Sequence, residues 1–125
     1  MRSDPQSSIP DPQSFLAEGV AHFNFHRFWE AHESWEHLWL ADRTPEREFL
    51  QGLIQLAAAY YHVRRGNVRG ATRLFDAGLR RLDPFPPRFR GIDREAAVEA
   101  ARRHRDVIAG GGTVPADAFP KLSMT

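Results

Sequence analysis

His32, Glu33 and Glu36 fall within one short segment, WEAHESWEHLW, which also holds all three tryptophans of the chain. A histidine followed four residues later by a carboxylate puts both side chains on one face of a helix, one turn apart. That spacing can chelate a single ion. His-Glu-x-x-Glu differs from the zinc-helix pattern His-Glu-x-x-His only in its last residue, and Glu33 stands where such helices keep a general base. On this reading His32 and Glu36 are metal ligands and Glu33 is the candidate catalytic residue. A divalent, zinc-like metal is the cofactor that the spacing admits. The third ligand must come from elsewhere in the chain, and His62 is the candidate.

Turning about 100° per residue along this helix groups Phe28, Trp35 and Trp39, with Ala31 and Leu38 beside them. Trp29 and Leu40 form a second apolar flank. His32 and Glu36 fall between the two, inside an aromatic wall, whereas Glu30, Ser34 and His37 should face water. Burying His32 and Glu36 is costly unless each finds a partner. A mutual pair leaves one ring nitrogen and one carboxylate oxygen in need of another helix, a water or a metal. The next helix offers Gln51, Gln55 and His62 on one face, beside the stripe of Leu53, Leu56, Ala57 and Tyr60. Two antiparallel helices would then gather His32, Glu33 or Glu36, Gln55 and His62 into one ligand pocket, walled by Trp35, Trp39 and Tyr60.

Five helical segments are predicted to carry these residues. The first starts at Asp11-Pro12, a capping side chain followed by a proline whose missing N–H is no loss in the first turn. Asn24 to His26 form a corner, and the second helix runs from about Arg27 to Ala41. Thr44-Pro45 restarts the chain as a third helix to about Arg65. Gly66 stops that helix and Asn67 caps the fourth, about Val68 to Leu82. Asp93 caps a fifth, thinly apolar helix with the stripe Ala97, Ala101, His104 and Ile108. No segment alternates like a strand. The expected fold is all-α: a compact bundle of about five helices over residues 11–109. A flexible segment, 1–10, precedes it. An extended tail, 110–125, follows and is pinned back by Phe119 and Leu122.

The 125 residues suffice for one domain with a real core. The absence of cysteine excludes disulfides, thiolate zinc sites and iron–sulfur clusters. No apolar run is long enough to cross a bilayer, and the polar, proline-rich start is no signal peptide. The default for such a chain is a soluble, cytoplasmic, bacterial-type protein. Net charge is +1, but residues 1–62 carry 4 basic and 9 acidic side chains, and residues 63–125 carry 13 and 7. Internal pairing of the two halves accounts for this division, and an arginine-lined face for an anionic partner is the alternative.

The strings FNFHRFWEAHESWEHLW, FLQGLIQLAAAYYHVRRGN and GATRLFDAGLRRL resemble the bacterial domain-of-unknown-function family 309. The resemblance covers about Phe15 to Leu82. It rests on Phe23, Asn24, Glu30, His32, Glu33, Glu36, Trp39, Gly52, Gln55, His62, Asn67 and Gly70. His26 departs from it, standing where the family more often has Gly or a small polar residue. The resemblance implies a small all-helical bundle and no established activity.

Three functional readings follow. The first is a pocket that binds a small ligand or a divalent metal, with hydrolysis as its possible chemistry. The second is a buried His/Glu/Gln network that only fixes helix register, in a non-catalytic interaction module. The third is a binding module in which Trp29 and Leu40 meet a partner helix or a second copy of the chain, that is, self-association. Arg69, Arg73 and Arg80 share a face of the fourth helix, but no helix-turn-helix, no interleaving of basic and aromatic residues and no net charge excess support a nucleic-acid partner. No cysteine nucleophile exists, and no serine sits at a strained elbow.

Overall fold

Capping residues legible in the sequence mark three of the helix ends. In the computed structural model, which describes residues 12–125, α1 spans Pro12–Asn24, α2 Phe28–Ala41, α3 Arg47–Arg64, α4 Val68–Leu82 and α5 Arg94–Ala109. The expected Asp11 cap and the segment 1–10 lie outside the described residues. Asn67 accepts from the Gly70 amide and Asp93 from the Ala96 amide, so α4 and α5 begin on the side-chain caps the sequence predicts. Gly66 takes a φ of 73°, the left-handed stop that ends α3.

The start of α3 is later than expected. Residues Thr44 to Phe49 are joined by bonds from each amide to the carbonyl three residues back, such as Arg47 to Thr44 at 3.1 Å. This tight turn delays the regular helix to Arg47. Thr44 anchors the turn: its hydroxyl and its amide both donate to Asp42, each at 2.7 Å. Those bonds, the hydroxyl's first, hold the Asp42 carboxyl below its ordinary range, with Arg90 and Arg47 adding to the effect.

Successive helices pack side by side, α1 on α2, α2 on α3, α3 on α4 and α4 on α5. The shared core is aromatic: Phe23, Phe28, Trp35, Phe49, Tyr60 and Phe75 are all buried. Glycines permit the closest approaches. A side-chain carbon at Gly19 would strike the Trp35 ring, and one at Gly52 would strike Leu82 at 2.6 Å.

The expectation of no strand needs correction. Arg88–Phe89 (β1) and Ile92–Asp93 (β2) form a minimal antiparallel hairpin. Its turn residues Arg90 and Gly91 both take positive φ, 52° and 80°. The tail completes it, because Thr125 donates to the Gly91 carbonyl and Asp93 to the Ser123 carbonyl. Two residues per strand are too few to show alternation. The tail otherwise behaves as predicted: a short 3-10 turn spans Ala116–Ala118, and Phe119 and Leu122 are buried in the core.

Candidate functional site

Helix α2 is rotated nearly as the apolar pattern requires. Phe28, Ala31, Trp35 and Leu38 are buried; Glu30, Glu33 and His37 are exposed; His32 and Glu36 are half-buried. Ser34 is the exception to the expected polar face. It is buried because α1 covers it, and its hydroxyl donates to Glu18 at 2.9 Å.

The residues expected to share one pocket have different neighbours. Trp35 points into the core and donates from Nε1 to the Leu16 carbonyl at 3.2 Å. Trp39 lies under the Arg47 guanidinium, 4.1 Å from its ring centre, and its carbonyl accepts from the same arginine. Tyr60 is buried, with its hydroxyl 2.7 Å from Nδ1 of His104 on α5. Gln55 faces α4, where a side-chain carbon at Gly78 would come within 3.3 Å of its own. His62 accepts on Nδ1 from the Asn67 amide at 3.1 Å, so it buttresses the corner between α3 and α4.

His32 stacks on Trp29, with ring centres 4.9 Å apart and planes within 7°, and Trp29 in turn meets Tyr61. No hydrogen bond or ion pair joins His32 to Glu36. The ring turns flat against Trp29 instead, and that stacking replaces the expected pairing. Nδ1 of His32 and Oε1 of Gln55 are both buried without a hydrogen-bond partner. Among the described residues, no group of three or more His, Cys, Asp or Glu side chains is placed to hold a metal ion. His32, Glu36 and His62 are therefore not assembled as a three-ligand set.

A different pocket has Trp29 in its lining. It has a volume of about 350 Å³ and lies where the corner after α1 meets the end of α3. Trp29 and Tyr61 form its aromatic wall, and Arg27, Arg64 and Arg65 surround it with cationic groups, with Glu30 as the one carboxylate in the lining. The corner is held by His26, whose φ of 63° turns the chain and whose carbonyl accepts from Arg64 at 2.9 Å. Arg65 lies over Tyr61 at 5.4 Å and Arg27 over Phe25 at 6.0 Å. None of the three arginines is paired with a carboxylate among the described residues. Arg27 also precedes the first turn of α2, which has no side-chain cap, so free backbone N–H groups add to the positive field.

The sequence reading missed Tyr61 and the three arginines. One signal was present: Arg64 and Arg65 have no acidic residue three or four positions away on either side. Their approach to Arg27 comes from antiparallel packing of α2 on α3, which juxtaposes residues nearly forty positions apart.

The model of the family described as domain of unknown function (DUF309) matches residues 16–74. Uncharacterized protein YpuF of Bacillus subtilis (strain 168) is 36% identical over 72 residues, which cover 57% of this chain and 41% of that protein. The chain thus spans about two-fifths of the length of that curated relative. The matched family region takes in most of α1, all of α2 and α3 and the first half of α4, and with them the whole aromatic and arginine pocket. No helix among the described residues is long and apolar enough to cross a membrane.

Proposed function

Because the chain belongs to the DUF309 family over residues 16–74, a family whose description names no activity, we propose from the site itself that it is a helical ligand-binding module for a small anion. The observation that carries this reading is the set Arg27, Arg64 and Arg65, without a carboxylate partner among the described residues and grouped around the Trp29 and Tyr61 rings. Arginine forks suit carboxylate and phosphate groups, and the aromatic wall suits an apolar or planar body on the same molecule. Glu30 disfavours a bare, highly charged anion and favours a ligand with a donor group beside its negative one.

Binding follows from this arrangement without turnover. The test is a calorimetric titration with inorganic phosphate, simple carboxylates and their aryl-bearing counterparts. Aryl anions should bind more tightly than the bare ions. Arg64→Ala with Arg65→Ala should weaken that binding at least tenfold with the helix content unchanged. Equal, negligible heats for every anion would refute the reading.

A second reading keeps a divalent metal at His32. It is favoured by the buried, unpartnered Nδ1 of that ring and by Glu36, one turn away, which has no hydrogen bond or ion pair among the described residues. These two residues would supply part of a coordination shell, and Glu33 would be the base of any hydrolysis there. Metal analysis of the purified protein tests this directly. A stoichiometric divalent ion, lost in His32→Ala, would establish it.

A further inference from the structure

The outward faces of α2 and α4 carry unpaired charges of opposite sign among the described residues. On α2, Trp29, Glu33, Glu36 and Leu40 stand at i, i+4, i+7 and i+11. At about 100° per residue they fall within a stripe about 60° wide and about 16 Å long. Trp29 is 48% exposed and Leu40 60% exposed. Neither Glu33 nor Glu36 has a hydrogen bond or an ion pair among the described residues. On α4, Arg69, Arg73, Asp76 and Arg80 repeat the same intervals. They line a groove of about 630 Å³ that reaches Val68, itself 48% exposed. Asp76 is neutralised by Arg105 of α5, which grips it at 2.8 and 3.2 Å. Arg69, Arg73 and Arg80 have no carboxylate partner among the described residues. The groove is therefore cationic with an apolar edge, and the α2 stripe is anionic with apolar ends.

We infer that the α4 groove docks the α2 stripe of a second copy of this chain. Charge complementarity selects this occupant. Among the described residues, the acidic half of the sequence presents unpaired carboxylates on α2, and the basic half presents a row of unpaired arginines on α4. With the two helices antiparallel, Glu36 and Glu33, one turn apart, meet Arg69 and Arg73, also one turn apart, while Leu40 reaches the apolar edge at Val68. The contact joins unlike surfaces. Two such contacts related by a two-fold axis close a dimer, and a single contact leaves both ends free to extend.

Sedimentation of the full chain at low and high salt tests the inference. Ionic screening acts over about 30 Å at 0.01 M and about 3 Å at 1 M. The protein should sediment above monomer mass at low salt and as a monomer at high salt. Arg69→Glu with Arg73→Glu should abolish association, and so should Glu33→Arg with Glu36→Arg. All four side chains are outside the core, and circular dichroism checks that each variant is folded. An equimolar mixture of the two charge-reversed variants should associate again, because the reversed groove then faces the reversed stripe. A wild-type monomer at low salt and millimolar concentration would overturn the inference. A monomer that instead binds a short oligonucleotide through Arg69 and Arg73 would also overturn it and assign the groove to nucleic acid. These variants leave Arg27, Arg64 and Arg65 intact, so their outcome is separate from that of the anion titration.

Discussion

The Tyr60 hydroxyl lies 2.7 Å from Nδ1 of His104, joining α3 to α5 through the core. Both residues are buried. Burial pushes the Tyr60 phenol well above its ordinary range, so it remains a protonated donor. Burial also lowers the proton affinity of His104. The nearby Arg103 charge acts in the same direction, while the Ala118 backbone, which the ring reaches, pulls the other way. The neutral imidazole thus accepts from Tyr60. An unfolded histidine takes up its proton near pH 6.5. Below that pH the unfolded chain binds more protons than the folded one, so stability falls as pH drops towards the lowered folded value. Urea midpoints should be level above about pH 7 and decline below about pH 6. His104→Gln should shallow that decline. Tyr60→Phe should cost about 1–2 kcal/mol at neutral pH, because it leaves Nδ1 without its donor.

Asn24 ties the C-terminal tail to the first corner. Its amide donates to the Leu122 carbonyl at 3.0 Å and accepts from the Leu122 amide at 2.7 Å, as a neighbouring strand would. Asn24→Ala removes both bonds and should destabilise the protein by about 1–3 kcal/mol. Phe119 packs on Phe28, Tyr60 and His26, so loosening the tail also loosens the anion pocket wall. Limited proteolysis should show new cleavage after residue 112 in the variant. An unchanged digestion pattern would disprove the clamp.

Gly19 lets α1 close on α2 at the one place where Trp35 needs room. A methyl group there would overlap the indole and push its Nε1 away from the Leu16 carbonyl. Gly19→Ala normally favours a helix by up to about 1 kcal/mol. Here overpacking and the lost hydrogen bond should reverse the sign, to a net loss of about 2 kcal/mol or more. Thermal unfolding measures it, and a raised midpoint would contradict the packing.

The helices were legible because their signals are local. Asn67, Gly66 and Asp93 each act within one turn, and the apolar stripes of α2, α3 and α4 repeat within each helix. The turn at Thr44 to Glu46 was misread because proline suits the first position of an α-helix and a tight turn equally. The candidate site was less legible because it depends on which neighbour each half-buried side chain meets. Gln55 and His32 both flank the apolar stripes of their helices, yet Gln55 turns to α4 and His32 to Trp29. Periodicity assigns a side chain to a face, not to a partner. Ser34 illustrates the same limit, since α1 covers a position that the α2 pattern leaves polar.

His32 offers the sharpest test of what its surroundings are for. Its Nδ1 is buried without a partner, and its contact with Trp29 is a ring stack that needs no proton. A buried, unsatisfied nitrogen costs about 1–3 kcal/mol relative to an apolar atom of the same shape. If nothing is bound there, His32→Phe keeps the stack and removes the unsatisfied atom, so the variant should be at least as stable as the parent. His32→Ala should lose under about 1 kcal/mol, because no partner is orphaned. If a metal occupies the site, the order reverses. The bound ion stabilises the folded state by mass action, and both variants forfeit that contribution. Thermal unfolding of the three proteins with added zinc and with chelator separates the cases. A parent midpoint that moves with zinc, while both variants ignore it, would decide for the metal. Three midpoints indifferent to zinc and chelator, with His32→Phe the highest, would leave the ring as a stacking residue beside the anion pocket.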